Sequence, residues 1–429
     1  MKKTAGILFL FLFYFILKQF IIMRHFSPDV DNLLLMGVIL LSAFLIAKLF
    51  NYLKLPKLTG YMVTGLIVGP NVFHFLDNSH LEQLKFFENF ALAFIAITAG
   101  GELKYSRIRK IVKPVSLILF NQIFLVFFAL FFLLIPLSKI FLGGLITNEQ
   151  YLIGFSLLFA ATALSKSPAT TMGIITEMRA KGRTTEIVLA VTVLKAIIVV
   201  LIFPLIILYS KIYLIDEFQF TGQQIVNLIV NVLGSIGLGV LIGVVIILFL
   251  KYVRTEKALF LFLTGILLTE LSGIFGLEIL ISSIITGIVV ENFSKTGQEL
   301  IEGIEKTSLP LYIVFFTFAG ASLHLNTLKK AFVMTMLLVV LRMVFLYLSN
   351  YIAGSVLKEN KIIKHYSWLG FLGQAGIAVG LANIIEKAIP GETGVIFKSI
   401  LIATVVINEF LGPIFFKYLL VKAKEVNVS

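Results

Sequence analysis

Two apolar segments joined by a basic turn lie between Phe159 and Phe203, and each segment contains a polar interruption. The first is the run 165–168 (SKSP), which divides a segment long enough to span a bilayer, and the second is Lys195 in the middle of another such segment. Proline removes a backbone donor, and non-helical backbone at membrane depth is stable only inside protein or along a wet cavity. A broken helix beside an ionisable one therefore predicts an ion-transport site.

The polar side chains expected to build this site come from several apolar segments that are distant in sequence. They are Thr162, Ser165 and Lys166 at the break, Thr192 and Lys195 with the adjacent Ala196, Arg342, Gln374, and Asn408 with Glu409. Thr162, Ser165, Thr192 and backbone oxygens would contact the ion, and protonation would fall on Lys195 or Glu409.

Each charged candidate has a structural interpretation beside the functional one. Lys195 either carries a proton or forms an ion pair, since a charge at the bilayer centre needs a partner or a cavity. Arg342 stays protonated, so it is a fixed counter-charge or a structural partner. Lys166 either occupies the cation position as a tethered ammonium or caps the carbonyls of the half helix that ends beside it. Glu409 either titrates or pairs with one of these cations.

The composition is that of an integral membrane protein. Apolar residues make up 59% of the 429 residues and charged residues 14%, whereas soluble domains are about 25% charged. The apolar runs predict about 13–14 spanning helices. The formal charge of +13 is spread over short loops, as the positive-inside bias requires, and does not indicate nucleic acid. The absence of cysteine excludes thiolate metal sites, and no motif indicates an enzyme or a cofactor.

Two pairs of segments resemble each other at nearly the same spacing along the chain. Residues 62–68 (MVTGLIV) match 284–290 (IITGIVV), and residues 99–110 match 319–330. An odd number of predicted spans separates the copies, which predicts inverted-topology repeats with a transport site where the halves meet. By this symmetry, 366–388 is expected to be a second discontinuous helix that crosses the first.

The sequence resembles the monovalent cation–proton antiporter superfamily, in its bacterial sodium–proton and potassium-efflux branch. The resemblance is carried by LPKLTGYMVTGLIVGP, TALSKSPATTMGIITEMRAKGRTTEIVLAVTVLKAI, LPLYIVFFTFAGASL, LGQAGIAVGLA and NEFLGP. It implies a multi-pass, all-α homodimer in a bacterial inner membrane, surrounded by lipid, which exchanges sodium or potassium ions for protons by alternating access.

The resemblance also implies a division into a moving core and a dimerisation scaffold. The expected core is 113–212 with 327–424. The expected scaffold is 31–112 with 225–326, including a linker helix near 225–250. Residues 1–30 form an extra N-terminal helix or a signal-like segment.

One departure from the family pattern affects the expected function. Most members carry a mid-membrane carboxylate where this chain has Lys195-Ala196. Three alternatives follow: another acid replaces it, the chain is a substituted inactive version, or transport is not cation–proton exchange. In the last case the scaffold would serve as an anion transporter or a non-transporting membrane sensor, because the central charges are mainly positive.

Overall fold

The computed structural model of the protein describes most of the chain. The described residues are 28–53, 55–70, 72–73, 75–76, 81, 85–101, 103–142, 149–214, 222–252, 257–294, 297, 309–321, 332–374 and 392–426. All regular structure among them is helical. Residues 1–27 of the expected N-terminal segment lie outside them, as does most of the expected second discontinuous helix.

The α-helices are numbered in chain order. They are α1 (Pro28–Tyr52), α2 (Lys57–Val68), α3 (Lys85–Gly101), α4 (Tyr105–Asn121), α5 (Leu130–Leu142), α6 (Glu149–Leu164), α7 (Pro168–Met178), α8 (Arg183–Leu214), α9 (Gly222–Tyr252), α10 (Lys257–Ile274), α11 (Ile279–Phe293), α12 (Leu309–Ala321), α13 (Phe332–Val356), α14 (Lys361–Tyr366) and α15 (Glu392–Lys422). A π-helix, Gln122–Ala129, joins α4 to α5, and a 3₁₀ helix, Ser367–Phe371, follows α14.

Hydropathy and burial agree with a multi-pass membrane protein. Five helical stretches within the described residues are long and apolar enough to cross a bilayer, and six shorter apolar helices accompany them. Large apolar side chains face outward, such as Leu233, which is 62% exposed. Arg342 and Lys195, by contrast, are among the largest fully buried side chains. Charge inside and hydrocarbon outside is the arrangement that a lipid environment favours.

The chain divides into two compact units. The first comprises Met1–Ala91 and Ser308–His324, and the second comprises Leu92–Thr307 and Leu325–Ser429. In the first unit α2 packs against both α1 and α12. In the second unit α6 packs against α5 and α8, α9 packs against α11, and α13 contacts α15. All described residues of the predicted transport site belong to the second unit.

Two glycine-mediated helix contacts support the internal repeat. Within the first unit, a Cβ at Gly65 of α2 would collide with the carbonyl oxygen of Thr317 in α12, and one at Gly320 with that of Met62. Within the second unit, the same relation holds between α11 and α3. There a Cβ at Gly287 would meet the carbonyl oxygen of Ile97, and one at Gly100 that of Ile284. The matched sequence segments therefore make matched backbone contacts, which only glycine permits.

Candidate functional site

The predicted helix break lies between α6 and α7. Helix α6 ends at Leu164, Ser165–Ser167 is non-helical, and α7 begins at Pro168. The Ser167 hydroxyl accepts a hydrogen bond from the Thr170 N–H at 3.0 Å, which caps α7 just before a proline in its first turn. This is the preferred chemistry of a helix start. The local sequence therefore accounts for the interruption of the helix, as predicted.

A second non-helical segment meets the first. The 3₁₀ helix ends at Phe371, and Leu372–Gln374 is non-helical. The Ser167 N–H donates to the Gly373 carbonyl at 3.2 Å, so the two segments are in direct backbone contact. We call residues 165–167 and 372–374 together the junction. The expected second discontinuous helix continues into 375–391, outside the described residues.

Arg342 offsets the partial negative charge at the ends of the two helical segments that reach the junction. Its guanidinium donates through Nε to Ala163 O at 2.8 Å and through Nη1 to Leu372 O at 2.7 Å. Nη2 donates to Ser165 O and Phe371 O, each at 3.1 Å. These carbonyls lie where two helical segments end, where the helix dipole is negative. Among the described residues, the hydrogen-bond partners of Arg342 are thus backbone oxygens.

A neutral hydrogen-bond chain runs from the junction to α15. The Gln374 amide donates to Thr162 O at 2.9 Å and to Ser165 Oγ at 3.1 Å. The Asn408 amide donates to Gln374 Oε1 at 2.9 Å. Asn408 Oδ1 is buried without a hydrogen-bond partner among the described residues. Four of the predicted site residues are therefore connected directly.

Glu409 lies beside the same junction. It is 3% exposed, and Oε1 accepts a hydrogen bond from the Thr170 hydroxyl. Its other oxygen, Oε2, is buried with no hydrogen-bond partner in the part of the chain that is described. A Cβ placed on Gly373 would lie 3.3 Å from Lys166 Nζ and 3.6 Å from Glu409 Oε2. The ammonium and the carboxylate therefore approach the same side of Gly373.

Lys195 occupies a separate polar environment. It is fully buried, and its ammonium donates to Gln122 Oε1 at 3.0 Å. The Gln122 amide nitrogen and the Thr192 hydroxyl have no hydrogen-bond partners among described residues. Ala196, 1% exposed, offers no polar atom. No ion pair joins Lys195 to Glu409 among the residues described.

Gln122 is a site residue that the sequence analysis missed. It lies in an apolar segment, as the first residue of the π-helix. Single π-turns within α-helices are frequent at functional sites, but hydropathy does not reveal them. The one available signal was an uncharged polar residue next to Asn121 in the middle of a spanning segment.

The chain matches a known family over most of its length. The family model described as "Sodium/hydrogen exchanger, transmembrane" matches residues 38–422. A curated relative, "Probable Na(+)/H(+) antiporter 3" of Methanocaldococcus jannaschii, is 24% identical over 405 residues, which cover 90% of this chain and 95% of the relative.

Solved structures agree on the fold. A structure of the sodium proton antiporter MjNhaP1 from M. jannaschii at pH 8 matches with a TM-score of 0.65 and 17% identity, covering 92% of this chain and 99% of that chain. An electron-microscopy structure of MjNhaP1 matches with a TM-score of 0.69 and 19% identity, over 94% and 100% of the two chains. With the family match over 38–422, these findings establish that the chain belongs to the transmembrane sodium/hydrogen exchanger family.

Proposed function

We propose that this protein exchanges a monovalent cation, sodium or potassium, for protons by alternating access, with Glu409 as the group that alternates between proton and cation. The names of the matched relatives favour sodium. Glu409 would take the role of the carboxylate that the family resemblance places at position 196. Lys195, the other proton-carrier candidate from the sequence, would instead act as a positive charge held by its hydrogen bond to Gln122.

The observation that supports Glu409 is its Oε2 atom, which is buried and has no hydrogen-bond partner among the described residues. A buried carboxylate oxygen without a donor is costly, and either a proton or a cation would remove that cost. The two ligands would then compete for one atom, which is the requirement for coupled exchange. The N-terminus of α7 and the Thr170 hydroxyl would hold the carboxylate in place.

Lys166 would act as the internal competitor of the cation. Of its two predicted roles, carbonyl capping is already fulfilled by Arg342, which leaves the role of tethered ammonium. Its proximity to the carboxylate beside Gly373 supports this assignment. A bound sodium ion would displace the ammonium, and departure of sodium would let it return.

The alternative function, anion transport or sensing, receives no support from the family match. It depended on an excess of positive charge at the centre of the protein. The charge of Arg342 is largely matched by four carbonyl oxygens at helix ends, so it contributes little to a field that would attract an anion.

The wider arrangement follows the same proposal. The core segments 113–212 and 327–424 would move against the scaffold 31–112 and 225–326, within a homodimer embedded in the lipid of a bacterial inner membrane. Motion of the core would expose Glu409 to one side of the membrane and then to the other.

The test is sodium-driven proton movement in everted vesicles or proteoliposomes that contain the full chain. We expect Glu409→Gln to reduce exchange to the level of empty vesicles, because the amide can still accept from Thr170 but cannot release a proton. Glu291→Gln is the matched control, since Glu291 is 6% exposed and also has one oxygen without a hydrogen-bond partner among the described residues, but its other oxygen pairs with Lys104 at 2.9 Å. Sodium-dependent exchange by Glu409→Gln equal to that of the native protein would exclude Glu409 as the carrier.

A further inference from the structure

A cavity of about 570 Å³ lies in the second unit between α13, the 3₁₀ helix and α15. Its apolar lining includes Leu369, Ile414 and Phe415, and its aromatic lining includes Tyr347 and Trp368. This cavity is distinct from the junction, since none of the junction residues lines it. Its size and apolar lining suit a hydrocarbon chain better than a small polar solute.

A cation lies at the edge of this cavity. Lys422 Nζ is 3.9 Å from the centre of the Tyr366 ring and 3.1 Å from the Tyr418 hydroxyl. Both tyrosines line the cavity, and Tyr418 is 51% exposed. An ammonium and a phenol at the rim are hydrogen-bond donors suited to a phosphate group, and tyrosine and tryptophan favour the headgroup level of a bilayer.

Further basic residues lie close to the cavity lining in sequence. Lys361 and Lys364 belong to α14, and Lys364 directly precedes the cavity-lining residue His365. Two nearby acids are already engaged. Glu359 pairs with Arg183 at 2.6 Å, and the carboxylate of Glu425 accepts from backbone N–H groups at the start of α8. No acidic residue lines the cavity among those described.

We propose that this cavity binds an anionic phospholipid, with an acyl chain against Ile414 and Phe415 and the phosphate at Lys422. Basic pockets between membrane helices on the positively charged side bind anionic headgroups in this way. The apolar lining favours a lipid over free phosphate, because free phosphate has no apolar group that could contact it. Neither the binding nor its test depends on the proposed exchange activity.

The chain offers a built-in reporter for this site. Trp368 is the one tryptophan in the sequence, and it lines the cavity. Brominated acyl chains quench tryptophan on contact, so the detergent-solubilised full chain can be titrated with brominated phosphatidylglycerol or brominated phosphatidylcholine. We expect half-maximal quenching at about fivefold lower concentration of the anionic lipid, as expected for one lysine–headgroup contact.

Two lysine variants separate site binding from general attraction. Lys422→Gln should remove the preference for phosphatidylglycerol. Lys251→Gln should keep it, because Lys251 also lies over a tyrosine ring at a helix end, at 5.1 Å from Tyr252, but away from the cavity. Unbrominated phosphatidylglycerol should restore the fluorescence, whereas inorganic phosphate should not. Equal quenching by both lipids in the native chain, or an equal loss of preference in both variants, would overturn the proposal.

Discussion

Arg342 and Lys195, both 0% exposed, have contrasting surroundings among the described residues. At the junction, Arg342 donates to four backbone carbonyl oxygens at the ends of two helical segments. In the Lys195 region, the ammonium has one hydrogen-bond partner among the described residues, the side chain of Gln122. The neighbouring Gln122 amide nitrogen and Thr192 hydroxyl have none there. A buried cation with several hydrogen-bond acceptors stabilises the structure around it. A buried cation with few acceptors can change its proton or its partner at little structural cost. The comparison assigns stability to the first region and adaptability to the second.

The largest expected effect comes from removing the guanidinium of Arg342. Arg342→Met leaves four buried carbonyl oxygens without their donor and two helix ends without a compensating charge. We expect a loss of about 3–5 kcal/mol of unfolding free energy, the range for breaking a buried charged network. Denaturant unfolding in detergent, followed by the fluorescence of Trp368, measures this loss. An unchanged unfolding midpoint would show that the guanidinium is not the structural centre of the junction.

A second expected effect concerns the acid that the Lys195 region lacks. Ala196→Asp places a carboxylate in a buried position on the residue that follows Lys195. We expect a severalfold increase in sodium-driven proton exchange in proteoliposomes, because the family pattern of an acid at this position is restored.

Ala190→Asp is the matched control, since Ala190 lies on the same helix and is also 1% exposed. A similar increase in both variants would mean that added negative charge alone, and not its position, raises exchange. No increase in either would show that the Lys195 region does not limit transport.

The smallest expected effect is on the stability of the Lys195 region. Lys195→Met removes the desolvation cost of a buried charge but leaves Gln122 Oε1 without its donor, so two opposing effects on stability largely offset each other. We expect the unfolding free energy to stay within about 1 kcal/mol of that of the native protein.

A double-mutant cycle sharpens this expectation. Combining Lys195→Met with Gln122→Met measures the coupling of the pair, which for one hydrogen bond to a charged group is about 1.5–3 kcal/mol. A coupling as large as the whole loss in Arg342→Met would remove the contrast between the two regions.

The sequence predicted the elements whose causes are local. The break at 165–168 follows from a proline after a capping serine, and the structure confirms it. The repeated segments around Gly65 and Gly287 make equivalent close contacts. Family membership was likewise readable from motifs, and the match over residues 38–422 confirms it. Such features need only the chain neighbours or a direct comparison of two stretches.

The partners of the buried charged side chains could not be predicted from the sequence in the same way. The sequence offered an acid as the partner of Arg342 and an ion pair as the structural alternative for Lys195. The structure gives Arg342 backbone carbonyls and gives Lys195 the amide of Gln122, 73 residues away in sequence. It also places Lys166 and Glu409 at the same glycine.

The sequence by itself determined that this chain is a membrane protein, that one of its helices is interrupted at a defined point, and that it belongs to an exchanger family. Hydropathy, the effect of proline and motifs are all properties of residues that are neighbours in the chain. Only the tertiary structure decided which buried charge meets which oxygen. A hydrogen bond depends on distances of about 3 Å, and packing between segments far apart in the chain sets those distances.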